Sequence, residues 1–156
     1  MNYKNVIFAI FAFVLLSFPI QAQTYISEDF EAVSSGLPTG WVSVGSGTVE
    51  VRTSNAHSGY HSLRFSGATS NVVALPELSV PINTTQITLW TKAEGNYSGC
   101  GSFQVGYLTN VNNAGSFVAL ETISYSDYFT YGELTVPLDQ APAGARIALR
   151  HTPSAI

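Results

Sequence analysis

From residue 25 onward, apolar side chains recur at every second position in short runs, and turn-forming residues interrupt each run before a helical period can build. This pattern predicts β-structure throughout. The expected strands are Tyr25 to Phe30, Thr48 to Arg52, Ser62 to Ser66, Asn71 to Leu75, Gln86 to Ala93, Ser102 to Leu108, Phe117 to Ser124, Thr130 to Leu138 and Ala145 to Arg150. Along Gln86 to Ala93 the alternation sends Ile87 and Leu89 to one side and Thr88 and Trp90 to the other. Phe103, Val105 and Tyr107 likewise share a face. One face of each strand therefore meets a core while the other stays wetter, as a sandwich of two sheets requires.

The breaks carry turn chemistry. Ser34 to Gly40, Gly45-Ser46-Gly47, Asn96 to Gly99 and Asn112 to Gly115 supply positive φ or a fixed proline φ. About nine strands in one domain, with connections long enough for Greek-key crossings, predict an all-β, two-sheet jelly-roll β-sandwich. The run Ala145 to Arg150 reads as a core strand followed only by His151 to Ile156, so a closing last strand is expected to be missing.

Residues 1–22 are read apart from this fold. Lys4 precedes an apolar run from Val6 to Phe18, and Ala22 offers a small residue for cleavage, which is the layout of a secretory signal peptide. The run is shorter than the ~20 residues a membrane-spanning helix needs, and no transmembrane segment is expected in the mature chain. Removing it leaves a domain at 23–156, of 134 residues, enough for one core.

Composition narrows the partners. Without Lys4 the chain has five basic residues against ten acidic ones, and the basic residues are scattered, which excludes a nucleic-acid surface. Cys100 is the lone cysteine, so no disulfide forms within the chain, and the thiol is expected to pack as a small hydrophobe.

Several segments together resemble the cleaved-adhesin and MAM-like jelly rolls of secreted surface proteins from Bacteroidetes-type bacteria. The residues that carry the likeness are Asp29-Phe30-Glu31, Leu37-Pro38-Thr39-Gly40-Trp41, His57 to Phe65, Gln104 to Thr109 with Phe117 to Leu120, and Arg146 to Arg150. The resemblance implies a secreted or cell-surface module that adheres to a glycan or a cell-surface protein. It also implies a structural calcium, with Glu31 as the acidic ligand, Asp29 as a second, and backbone carbonyls near Ser58 and His61. On the other reading, Asp29 and Glu31 simply point outward from a first strand.

Aromatic faces suit the apolar side of a pyranose ring. Trp41 is assigned to packing, and Tyr125, Tyr128 and Tyr131, grouped around one turn, are the expected ligand-binding residues. Catalysis finds little support, and no enzyme is expected. His57-Ser58 lacks a nucleophile elbow, the three histidines make no zinc pattern, and Asp29, Glu31, Glu121 and Glu133 show no spacing that identifies a glycosidase pair. A carbohydrate-active enzyme on the same sandwich and a purely structural spacer are the alternatives.

Overall fold

The computed structural model describes residues 27–67, 69–94, 101–125 and 130–153. Among these, nine strands form: β1 (Val42–Gly45), β2 (Thr48–Arg52), β3 (Ser62–Ser66), β4 (Asn71–Ala74), β5 (Gln86–Thr91), β6 (Ser102–Leu108), β7 (Phe117–Ser124), β8 (Gly132–Pro137) and β9 (Arg146–Thr152). One layer is an antiparallel sheet in the order β1-β4-β9-β6-β7, and the pairs β2-β3 and β5-β8 supply the other. The fold is the expected all-β sandwich.

The strand period explains the layers. Val73, Leu149 and Val105 stand opposite one another across β4, β9 and β6, with exposures of 0%, 5% and 0%. Val49 of β2 and Val136 of β8 close over them, joined at the margin by Leu63, Phe65, Ile87, Leu89 and Leu134. Phe65 meets Phe103 edge-on at 5.6 Å, an arrangement that favours ring quadrupoles. A second cluster of Ile82, Leu138, Ala141, Ala145 and Ile147 plugs one end. The third lies on the opposite face of the five-stranded sheet, where Val111 and Ala114 of the 109–116 loop cover Val72, Leu108, Phe117 and Ala148.

The strand Ala145 to Arg150, expected to border an open edge, runs as β9 through the middle of its sheet, with β4 on one side and β6 on the other. Val42–Gly45, outside the expected strands, is an edge strand on β4. The expected strand Tyr25 to Phe30 is not one where the structure describes it. At 27–30 the chain turns, because Glu28 and Asp29 accept the N–H groups of Phe30 and Glu31 and hold Phe30 at φ 65°.

The chain crosses between layers at β1→β2 and returns at β3→β4, and Asn71 ties both crossings. It is 1% exposed, and its Nδ2 donates to Thr48 O at 3.3 Å and Ser66 O at 2.8 Å. Gly47 makes the tie possible, since a Cβ there would lie 1.0 Å from Asn71 Oδ1. Gly47→Ala must drive this buried amide off its bonds, and a loss of about 2 kcal/mol or more is expected by urea unfolding.

Candidate functional site

The loop 53–61, joining β2 to β3, is fastened on two sides. On one, the Glu31 carboxylate accepts the backbone N–H of Tyr60 at 2.7 Å and of His61 at 2.8 Å, both through Oε1. His61 Nδ1 lies 3.0 Å from Oε2, and because an ionised carboxylate only accepts, that nitrogen carries the hydrogen. Gly59, at φ 68°, lets the loop approach this closely, for a side chain there would meet Glu31 Oε1 at 2.4 Å. On the other side Asn55, in the left-handed region at φ 53°, donates to Glu94 Oε1 at 2.5 Å and accepts from Lys92 Nζ at 3.2 Å. Its carbonyl also accepts the Tyr131 hydroxyl.

Clamped this way, the loop presents His57 to the outward face of β5. The imidazole stacks on Trp90 with centroids 4.0 Å apart and planes 8° from parallel, and it meets Tyr131 edge-on at 5.1 Å. Lys92 Nζ stands 4.9 Å over the Tyr131 ring. Trp90 keeps 45% of its surface accessible. Beside it, Thr88 and Thr135 share a hydrogen bond across β5 and β8, and Glu133 sits opposite Trp90 in register. Burial raises the Tyr131 hydroxyl above its ordinary pKa, and the negative charge of Glu94 adds to the effect.

An open hollow of about 300 Å³ adjoins this cluster, with Thr91, Tyr125, Tyr131, Glu133 and Leu134 in its wall. Two of the expected ligand-binding residues, Tyr125 and Tyr131, are thus brought together, and Tyr128 lies outside the described residues. Tyr131 differs from an open stacking platform, since its hydroxyl and ring are engaged by Asn55, His57 and Lys92. The accessible platform is Trp90. Sequence alternation places Trp90 outward, whereas its partner His57 comes from a loop 33 positions away and leaves no local signal. Trp41 packs as expected, edge-on to Phe30 at 5.7 Å.

The residues named for calcium lie where the first turn meets the clamped loop. Asp29 Oδ1 accepts the N–H of Glu31, Glu31 accepts three N–H groups, and Ser58 is exposed in the clamped loop. Calcium takes six to eight oxygens, and the three N–H groups already use most of the acceptor sites of Glu31. Among the described residues no three His, Cys, Asp or Glu side chains gather as metal ligands. Cys100 lies outside the described residues, and among those described no helix is long and apolar enough to cross a membrane.

The Glu31 carboxyl is held below its ordinary pKa, first by the His61 ring and then by the N–H groups of His61 and Tyr60. A carboxyl lowered on folding gives stability that is complete above the unfolded chain's pKa and disappears as pH falls through the folded value. Melting temperature is therefore expected to drop as pH is lowered below the ordinary glutamate pKa, and to drop less steeply in Glu31→Gln. Adding calcium at neutral pH is expected to leave the melting temperature unchanged; a rise that Glu31→Gln abolishes would show that His61 yields to the ion.

No protein-family model and no curated protein matches this chain. Solved structures do. The K2 cleaved adhesin domain of Lys-gingipain superposes with a TM-score of 0.62 at 17% identity, covering 81% of this chain and 88% of that one. The K1 cleaved adhesin domain of Lys-gingipain from Porphyromonas gingivalis W83 gives 0.51 at 22% identity, covering 85% and 90%. Two such domains matched over most of both chains show that this protein has a cleaved-adhesin-like fold.

Proposed function

We propose that this chain is a non-catalytic recognition module, exported through a signal peptide at 1–22, that binds a glycan outside the cell. The reading rests chiefly on the exposed Trp90, held by a parallel His57 on a loop clamped from both sides. An indole edge and face set among Thr88, Thr135 and Glu133 offers what a sugar ring needs, an apolar surface with hydroxyl and carboxylate partners around it. Preorganisation adds to this, because a loop already ordered loses little entropy on binding. The adhesin fold of the structural neighbours supports recognition over catalysis, and two of the candidate carboxylates, Asp29 and Glu31, accept backbone N–H groups.

Affinity electrophoresis against a panel of neutral soluble polysaccharides tests the reading. Retardation is expected with at least one, and Trp90→Ala should weaken it roughly tenfold, the scale of one aromatic contact. His57→Ala should weaken it less, by loosening the indole. Undiminished retardation in a folded Trp90→Ala protein would reject this surface as the binding site.

A further inference from the structure

The five-stranded sheet carries a second polar surface, on the face opposite the one that Val105 and Leu149 bury. Outward-pointing positions of β9, β6 and β7 fall into two registered rows. Arg150, Gln104 and Thr122 stand side by side, and Thr152, Ser102 and Ser124 form the next row. Strands lie ~4.8 Å apart and alternate residues ~7 Å apart, so six polar side chains occupy a patch of ~10 by 7 Å. The other half of this face is closed by Val111 and Ala114.

Arg150 is organised within this patch. Its Nε donates to Gln104 Oε1 at 2.7 Å, and Gln104 Nε2 donates onward to Thr122 Oγ1 at 3.0 Å. The guanidinium carbon sits 4.2 Å from the centroid of the Phe117 ring. These two contacts fix the plane and rotation of the group, yet among the described residues no carboxylate pairs with it and neither Nη is hydrogen-bonded. Burial lowers its pKa, which marks a cation that has lost water without gaining a counter-ion, although an arginine remains charged. Arg146, four residues earlier on the same strand, shows the contrast. Its guanidinium donates to the carbonyls of Leu75 and Gly40, and its role is structural.

We infer that this face binds an acidic glycan, with Arg150 receiving the carboxylate of a uronic acid and the hydroxyls of Ser102, Thr122, Ser124 and Thr152 meeting those of the sugar. A guanidinium fork held with its Nη atoms free is the geometry that takes a carboxylate through two parallel hydrogen bonds. The neighbours decide the class of ligand. One cation among hydroxyls suits a ring with one carboxylate and several hydroxyls, whereas an acidic peptide calls for several cations close together. With a formal charge of −4, the chain offers no general attraction to polyanions, so recognition has to be local. This site stands independently of the Trp90 surface.

Calorimetric titration with oligogalacturonate and with alginate, each beside its methyl ester, tests the inference. At least one uronate is expected to bind, its neutral ester at least tenfold more weakly, and added salt should weaken the uronate alone. Arg150→Lys keeps a charge over Phe117 but lacks the fork, and should lose roughly tenfold in affinity while melting close to the parent. Arg150→Gln should abolish binding. Failure of both uronates to bind, equal binding of acid and ester, or full affinity in either variant would overturn the assignment; so would polyglutamate binding as tightly as the uronate.

Discussion

The row Val73, Leu149 and Val105 is the constraint on which the rest depends. Three adjacent strands present these side chains to the same side, and only a second layer can remove them from water. Each strand is too short to bury its apolar face against one neighbour, so the pairs β2-β3 and β5-β8 must lie over the sheet for either to persist. Because side chains alternate, committing these residues inward commits Arg150, Gln104 and Val72 outward in the same step. The polar patch and the loop-covered cluster on that outer face are consequences of the core, set by register.

Hydrophobic burial is not directional, and something more specific has to fix which chain crossing goes where. Asn71 supplies direction. Its amide reaches one strand entering the second layer and one leaving it, and the absence of a side chain at Gly47 gives it room. A buried donor costs free energy unless its bonds are made, so alternative crossings that strand the Asn71 Nδ2 group are disfavoured. The Glu31 and Asn55 clamps repeat the device on a loop: one carboxylate and one amide each satisfy several groups and leave the 53–61 segment a single arrangement.

Legibility in the sequence follows from how local each determinant is. β2, β3, β6 and β7 end where alternation and turn residues place them, since their period and punctuation are contiguous in the chain. Val42–Gly45 alternates over too few residues to register, and what stabilises it is Val44 packing with Val72 and Phe117, both distant in sequence. Tyr25 to Phe30 alternates well but fails at its described end, because the side chains of Glu28 and Asp29 compete for the backbone N–H groups a sheet would use. The site divides the same way. The outward direction of Trp90 and the grouping of Tyr125 with Tyr131 were readable, whereas the His57 stack and the diversion of Tyr131 to Asn55 depend on where a loop docks.

Where recognition can lie on such a domain is therefore limited. The inner faces are consumed by packing, one end is plugged by Ile82, Leu138 and Ile147, and part of the outer sheet face is closed by the 109–116 loop. Among the described residues two outward areas keep organised side chains, and they differ in kind. The β5 surface presents an indole braced by an imidazole, suited to an uncharged ring; the β9-β6-β7 surface presents a guanidinium whose plane is set and whose charge is uncompensated. Both arrangements cost the isolated domain something, an exposed aromatic in one case and a partly desolvated cation in the other. Packing does not require either, since Trp90 is not needed to close the core and Arg146 shows how an arginine on the same strand is used when only structure is at stake. An accessible indole held by His57, and a guanidinium held by Gln104 and Phe117 with no carboxylate beside it among the described residues, are the two places where the proposed ligands would add the contact that the fold leaves out.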